Sequence, residues 1–531
     1  MPSENIKRVV IVGGGTSGWM TAATFIKFFP QKHITVIESE DIPTIGVGES
    51  TTGILNNWLK AMDIKDEDFM KECDAIYKLG IKFTDFADKD SGGFHYPLGT
   101  PFLENTGWGL WDWHLMKYKY PETPVQDFVR SYFPAAALFE QNKISENKDG
   151  KFDNFDLDLD SAYHIDAIKF GKWLRDKYAK PKGVRHVVAT VDQINTDENG
   201  IKNLVLSNGN TIDADLFIDC TGFKSLLLGG ALEEPYESLD HIMFNDKAWV
   251  TPLEYEDKNI EMRPYTECFG LSSGWSWYTP IYSRVGTGYV YSNKFISDED
   301  ALEEFKQFLM SDKIPIPRTR EQVDSFKYRQ VPMRTGKYSR LWVKNVLAIG
   351  LSGGFIEPLE GNAIYSVHEF LVRLLRILEL PKVNQFDKDM FNATARFLYT
   401  NFSEFVGIHY SLSHRDDTPY WKAVTNNTYS QKMVDFAPDK AHGYSNFQDI
   451  YMHSLEYNGI NAGVNYVSTG MGYMLVDKYI MRMKEMYNPS QQYDIIAETF
   501  KNNFNDKKNK WLKAAEKEKT IYEYLKEKYN D

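Results

Sequence analysis

Gly13, Gly15 and Gly18 stand in the string Gly13-Gly14-Gly15-Thr16-Ser17-Gly18, directly after the apolar run Arg8-Val9-Val10-Ile11-Val12. A G-x-G-x-x-G between a strand and a helix holds the pyrophosphate of a dinucleotide. The first glycine permits the tight turn, the second lets a phosphate approach the backbone, and the third lets the helix pack closely on the sheet. The phosphates then lie over the positive end of the helix dipole, beside the backbone of Thr16 and Ser17. Glu38 ends the next strand-like run, His33-Ile34-Thr35-Val36-Ile37-Glu38, where a carboxylate can bind ribose hydroxyls. Alone the glycine string also suits a structural turn; the carboxylate in that place favours the dinucleotide.

Three further groups have chemistry available to them. Lys78 and Lys82 lie in Tyr77-Lys78-Leu79-Gly80-Ile81-Lys82-Phe83, and an ammonium on a flexible stem can be tuned by desolvation to bind or form a bond with an electrophile. Glu357 and Glu360 lie in Gly354-Phe355-Ile356-Glu357-Pro358-Leu359-Glu360, and a carboxylate there can accept a proton. Trp275 and Trp277 lie in Gly274-Trp275-Ser276-Trp277-Tyr278-Thr279-Pro280, and residues two apart in a strand face one side. Each group also has a plainer reading: a surface lysine, a loop carboxylate, a core tryptophan pair.

The elements that must position these residues start with a βαβ unit over residues 8 to 39, with a helix from Thr16 to Phe29. Continuous Val/Ile runs fit parallel strands buried on both faces. A meander follows from His186 to Cys220, with turns at Asn199-Gly200 and Asn208-Gly209 and the run Asp215-Leu216-Phe217-Ile218-Asp219 returning to the core sheet. A third core segment, Asn345-Val346-Leu347-Ala348-Ile349-Gly350, precedes a helix from about Gly361 to Leu380. Residues 231 to 330 read as mixed strands, the chain after 400 as mostly helical, and its tail from Ile495 to Asn530 as a charged amphipathic helix or pair that docks on the body. The expected fold is α/β: a Rossmann-type unit with an inserted β-rich region and a helical C-terminal part. Two modules are expected, one from 1–90, 156–230 and 331–400, the other from 91–155, 231–330 and 401–531.

At 531 residues the chain exceeds one ordinary core. A formal net charge of −13 disfavours a nucleic-acid partner. Cys73, Cys220 and Cys268 form no C-x-x-C pair, which fits small buried side chains in a reducing compartment and no zinc site. No apolar run approaches a membrane span and the first strand begins almost at once, so a cytoplasmic protein is expected. A second G-x-G-x-x-G is missing, which disfavours a tightly bound nicotinamide; with Asp219-Cys220-Thr221-Gly222 similar to a cofactor segment of aromatic-hydroxylase flavoproteins, FAD is preferred.

Gly46-Val47-Gly48-Glu49-Ser50-Thr51 joins the lysine, tryptophan and Glu360 segments in the order found in the flavin-dependent tryptophan halogenases, which the chain resembles over most of its length. The resemblance implies an FAD fold of the aromatic-hydroxylase kind. It also implies reduced FAD supplied by a separate flavin reductase, a halide, and an electron-rich aromatic substrate such as an indole or phenol. In that family reduced FAD and oxygen convert halide into hypohalous acid, which a lysine directs to the substrate. Lys78 matches that lysine, with Lys82 a neighbour. Glu360 matches the active-site carboxylate, with Glu357 competing in the same loop. Gly48, Glu49, Ser50, Ile349 and Gly354 fall on the cofactor side by the same match.

The chain departs from the family after the glutamate. The family's Ser-Thr-Gly is here Gly361-Asn362-Ala363, so the backbone N–H groups of Asn362 and Ala363 remain for the halide while the shape of their loop changes. Bromide or iodide is therefore expected to be preferred to chloride. Trp275, Trp277 and Pro280 fit the family's Trp-x-Trp-x-Ile-Pro, with Thr279 for isoleucine, which implies a barrier between flavin and substrate. His95, Phe102, Trp108 and Trp111 are pocket candidates that orient an arene by stacking. Two other readings stay open: a flavin hydroxylase of the same fold, and a catalytically silent flavin-binding protein. A homo-oligomer is also left open.

Overall fold

The computed structural model describes residues 3–40, 46, 48–90, 92–103, 111–427, 466–467, 469–472 and 490–531. The chain forms two compact units, each from three segments: Met1–Ala75, His164–Asp240 and Met333–Ser403 in the first, Ile76–Tyr163, His241–Pro332 and Glu404–Asp531 in the second. Residues 76–90, grouped by sequence with the nucleotide module, belong to the second unit. The reason is pairing: Gly80–Thr84 lies parallel to Tyr265–Leu271 in that unit's sheet.

In the first unit a six-stranded sheet runs Trp342–Val343, Val346–Ala348, Leu216–Asp219, Arg8–Val12, His33–Glu38, Arg185–Val188. Every pair is parallel except the first, as continuous apolar runs covered on both faces require. In this register Val12 pairs with both Asp219 and Ile37, and Asp219 with Ala348. The strands' carboxyl ends are therefore level, the edge of an open α/β sheet where ligands bind. Helix Thr16–Phe28 follows the first strand. The meander of Val191–Asp197, Gly200–Leu206 and Thr211–Ile212 stands as its own antiparallel sheet, with Gly200 and Gly209 at positive φ in its two turns.

The second unit is built on a seven-stranded sheet ordered Arg329–Pro332, Lys247–Leu253, Val285–Tyr291, Gly274–Pro280, Tyr265–Leu271, Gly80–Thr84, Gly93–Pro97. Its middle strands are buried along their whole length. The region read as mixed strands also contains helices Asp298–Leu309 and Arg320–Ser325. Ser297 caps the first by accepting from Asp300 N–H, and Thr319 with Gln322 forms a capping box on the second. Phe305, Phe308 and Leu309 pack against Phe269, Tyr278 and Tyr289 of the sheet.

The tail is a pair of helices, Ser490–Ala515 and Ile521–Tyr529, separated by Lys519–Thr520, which pairs with Lys143–Ile144. Tyr493, Phe500, Phe504 and Trp511 of the long helix are buried. Among the described residues no helix is long and apolar enough to cross a membrane.

Candidate functional site

The glycine loop of the first unit is shaped by backbone contacts that leave no room for side chains at two positions. Gly13 has φ +115°, and a Cβ there would lie 2.2 Å from the Cys220 carbonyl oxygen. A Cβ on Gly18 would lie 1.9 Å from the Gly13 carbonyl oxygen, which is the close helix-to-strand packing expected of a third glycine. Gly15 differs: it caps the helix at φ −75°, ψ −177°, an extended conformation open to any residue. No side chain caps this helix and no acid lies in its first turn, so its leading N–H groups face no competing carboxylate.

Around that loop the fold gathers the other segments of the unit. A Cβ on Gly350, at φ +77°, would meet Ser17 Oγ at 2.5 Å, which sets the third core segment directly against the glycine loop. Ile349 is fully buried and its N–H donates to the Asp219 carbonyl at 2.9 Å. Thr16 spends its hydroxyl on the Ala167 carbonyl at 2.7 Å. Glu49 Oε2 accepts the Ala167 N–H at 3.0 Å, capping helix Ala167–Trp173, so part of its carboxylate is structural. Gly48 is buried and Ser50 half-buried.

Glu38 stands at the end of its strand beside two nitrogen-bearing side chains the sequence reading missed. His186 Nε2 is 2.9 Å from Glu38 Oε2, and Arg175 Nη1 is 3.6 Å away. Neither the Glu38 oxygen nor the His186 nitrogen has an aligned hydrogen-bond partner among the described residues, although both are buried. A carboxylate at the end of that strand, an uncapped helix start and close-packed glycines together fit the ribose and pyrophosphate of FAD. His186 and Arg175 reach Glu38 through strand pairing and a distant helix, and no local spacing announces them.

Asp219 has another role. It is wholly buried and accepts from the N–H groups of Leu227 and Leu228 and from both donors of Thr221. Burial pushes its pKa up, against these hydrogen bonds. The Asp219-Cys220-Thr221-Gly222 segment thus shapes the turn beside the glycine loop; the aspartate two before a threonine was the available signal.

Glu360 ends a short 3-10 helix, Pro358–Glu360, and is buried, as is Glu357. The left-handed position in this loop is Gly361, at φ +67°, where a Cβ would meet the Ser50 carbonyl oxygen at 2.9 Å. Asn362 and Ala363 already belong to the first turn of helix Asn362–Leu378. Ala363, where the family has glycine, is helical, a conformation that suits alanine. The helix begins with no side-chain cap and no acid in its first turn, so no carboxylate of that turn competes for its leading N–H groups. Gly354 is needed for packing, since a Cβ would lie 2.8 Å from the Gly336 carbonyl oxygen across the strand pair. A small cleft opens beside this loop, lined by Gly354, Phe355, Ile356, Ala363, Tyr399 and Phe402 among others.

In the second unit the two lysines separate. Lys78 ends strand Ile76–Lys78 and is 0% exposed, which removes the surface-lysine reading. Lys82 pairs in register with Glu267 and places Nζ 2.6 Å from its carboxylate. That buried glutamate also takes Arg263 Nη1 at 2.9 Å and the Thr84 hydroxyl at 2.9 Å. Lys82 is thereby a structural counter-ion.

Trp275 and Trp277 are buried on one face of their strand, ring centroids 6.0 Å apart, and Pro280 closes it. A Cβ on Gly288, the cross-strand partner of Trp277, would lie 2.2 Å from the indole, so that glycine makes the room the ring fills. The pair contributes about 0.5–1.5 kcal/mol beyond its area burial.

His95 faces Lys82 across the neighbouring strand and is packed against Phe139, ring centroids 4.4 Å apart, and Tyr265 at 5.7 Å. Burial, with the charges of Lys82 and Arg130, holds its pKa well below the usual histidine range, so the ring is a neutral aromatic wall. Phe102 lies edge-on to Trp511 of the tail helix. Trp111 starts helix Trp111–Lys119, and Trp108 lies outside the described residues. Among the described residues no cluster of three metal-binding side chains occurs.

A tryptophan halogenase family model matches residues 8–476. Tryptophan 7-halogenase RebH of Lentzea aerocolonigenes is 32% identical over 435 residues, covering 79% of this chain and 79% of that protein. Of solved structures, that of apo VirX1 superposes with a TM-score of 0.86 at 36% identity, over 99% of this chain and 100% of its own. Tryptophan 6-halogenase SttH of Streptomyces toxytricini does so with a TM-score of 0.82 at 27% identity, over 98% and 99%. A match that begins at the first strand and runs through the glycine loop, the buried lysine, the tryptophan pair and the Glu360 loop leaves one assignment: the chain belongs to the tryptophan halogenase family.

Proposed function

We propose that this protein is an FAD-dependent halogenase that places bromine or iodine on an electron-rich arene, an indole or a phenol, with reduced FAD delivered by a separate flavin reductase in the cytoplasm. The observation that carries the reading is Lys78: a lysine at 0% exposure in a strand has no surface role to fill, while Lys82 beside it serves the structural ion pair with Glu267. Bound reduced FAD supplies, with oxygen, the oxidising equivalent that turns halide into hypohalous acid. The N–H groups behind Gly15 hold the pyrophosphate, with Glu38 on the ribose and Gly48, Glu49, Ser50, Ile349 and Gly354 shaping the rest of the cofactor site.

The N–H groups of Asn362 and Ala363 hold the halide at the start of their helix. Lys78 Nζ donates to hypohalous acid and aims its halogen at the ring. Glu360 stabilises the cationic ring adduct and accepts the proton that the halogen replaces. Trp275, Trp277 and Pro280 keep the arene from the flavin, while His95, Phe102, Trp108 and Trp111 offer it aromatic walls.

A halide competition tests this reading. With chloride, bromide and iodide at equal concentration, brominated or iodinated product is expected to dominate, because larger halides shed water and are oxidised more readily and the altered Gly361-Asn362-Ala363 start holds chloride less selectively. Mass spectrometry over a panel of indoles and phenols reads the result, with product formed without enzyme subtracted. Dominant chlorinated product overturns the halide preference; absence of any halogenated product overturns the activity.

A further inference from the structure

Helix Ile521–Tyr529 docks on the second unit through Ile521, Leu525 and Tyr529, which recur every fourth residue and are buried. Its other contacts reach two places that the fold brings to one edge of the seven-stranded sheet. Gly80 pairs with Tyr265, and Glu267 pairs with Tyr278. Carrying the antiparallel register on by two residues sets Pro280 beside Tyr265. Lys78, two residues before Gly80, and the closing end of the tryptophan strand therefore emerge at the same edge. There the Leu79 N–H donates to the Pro264 carbonyl at 2.6 Å, tying the approaches of two strands together.

At the lysine end the helix holds Tyr77, the residue before Lys78. Lys528 Nζ donates to the Tyr77 hydroxyl at 2.8 Å. The Tyr524 ring lies 6.2 Å from that of Tyr77, and its own hydroxyl donates to Glu146 at 2.6 Å. At the tryptophan end Tyr529 meets Tyr282, two residues past Pro280, with ring centroids 4.8 Å apart, and the Tyr282 hydroxyl donates to Asp531 at 2.6 Å. Neighbours along a strand face opposite sides, so the helix holds Tyr77 on one face and leaves Lys78 on the other. Packing alone would be met by a phenylalanine at 77; the hydroxyl and its charged donor also fix where the ring sits. We propose that Tyr77 and Lys528 are positioning residues, through which this helix holds the Lys78 strand in place against the tryptophan strand and keeps the ammonium in line with the reacting ring. The role rests on the reading of Lys78 as the group that directs hypohalous acid, a task in which a misplacement of about 1 Å costs on the order of 10²-fold.

Two substitutions in the full chain test this. Tyr77→Phe removes one hydroxyl and keeps the ring, and Lys528→Met removes the donor and keeps the stem. In each, the share of reduced FAD whose oxidising equivalent ends on the arene is expected to fall on the order of ten-fold, while FAD affinity and the oxidation of reduced FAD by oxygen stay at wild-type values. The double variant should fall no further, because both changes break the same hydrogen bond. Lys528→Arg keeps a charged donor and should recover most of the yield. Yields are compared well below each variant's melting temperature, where a merely structural role leaves them unchanged. Reductive methylation with formaldehyde and a borohydride, taken to low conversion and followed at the Lys78 peptide by mass spectrometry, reads the displacement without turnover. Labelling at Lys78 should rise several-fold in Tyr77→Phe and Lys528→Met and return toward wild type in Lys528→Arg. Unchanged labelling at Lys78 overturns the proposal, and so does raised labelling with an unchanged halogenation yield. A wild type that makes no halogenated product, with labelling that changes as expected, overturns the halogenase reading and leaves the positioning of Lys78 by this helix standing.

Discussion

Lys78→Met is expected to abolish arene halogenation while leaving the oxidation of reduced FAD by oxygen intact. Methionine keeps the length and volume of the buried stem, so the strand Ile76–Lys78 loses a charge and gains no cavity. What disappears is the one donor assigned to aim the electrophile. Loss of a positioned donor of this type costs on the order of 10²-fold or more in rate. Product yield per turnover of reduced FAD measures it, with free hypohalous acid or peroxide appearing in place of product. Lys82→Met makes the contrast: it strips one counter-ion from buried Glu267 and leaves Arg263 and Thr84 in place. That variant should melt earlier and, while folded, keep its halogenation yield. A Lys78→Met enzyme with unchanged yield contradicts the role given to the ammonium.

Gly15→Val should raise the FAD dissociation constant by about 100-fold or more, a loss of roughly 2.7 kcal/mol. The substitution reads the ligand and spares the fold, because Gly15 sits at φ −75°, ψ −177°, where valine is at ease. Its side chain then stands where a phosphate must approach the first N–H groups of the helix. Gly18→Val is no substitute for it, since a Cβ there strikes the Gly13 carbonyl and breaks the helix-to-strand packing itself. Equilibrium titration of the folded Gly15→Val protein, with its far-ultraviolet spectrum as the control, gives the answer. Stoichiometric FAD at wild-type affinity contradicts the phosphate assignment.

The parts of the fold most legible in the chain were those where local pattern and final environment agree. Val9 to Val12 and Leu216 to Ile218 are unbroken apolar runs because both faces of a parallel sheet are covered, and Trp275 and Trp277 share a face because strand geometry has period two. What escaped was set by partners far away in sequence. The distinction between Lys78 and Lys82 arises when Tyr265–Leu271 lies beside Gly80–Thr84 and brings Glu267 against Lys82. His186 reaches Glu38 because Arg185–Val188 adds to the sheet next to His33–Glu38.

The Glu360 loop illustrates a different limit. A reshaped loop was expected from Ala363, where the family has glycine; the left-handed residue is Gly361, pressed against Ser50. Only the start of helix Asn362–Leu378 reveals which of the three positions bends. Helix Asp298–Leu309, within a stretch expected to be strands, carries a local signal: Ser297 followed by Asp298, Glu299 and Asp300 is a cap signature.

The measurement that bears most directly on the account is the fate of the oxygen atom. Purified protein is supplied with FAD reduced by an independent reductase, bromide, an indole or phenol, and oxygen-18 gas, and the product is weighed by mass spectrometry. If the tryptophan pair keeps the arene from the flavin and Lys78 delivers halogen, the product carries bromine in place of a ring hydrogen and no oxygen-18. A product that carries oxygen-18 on the ring and no bromine, or labelled hydrogen peroxide with the arene unchanged, contradicts it.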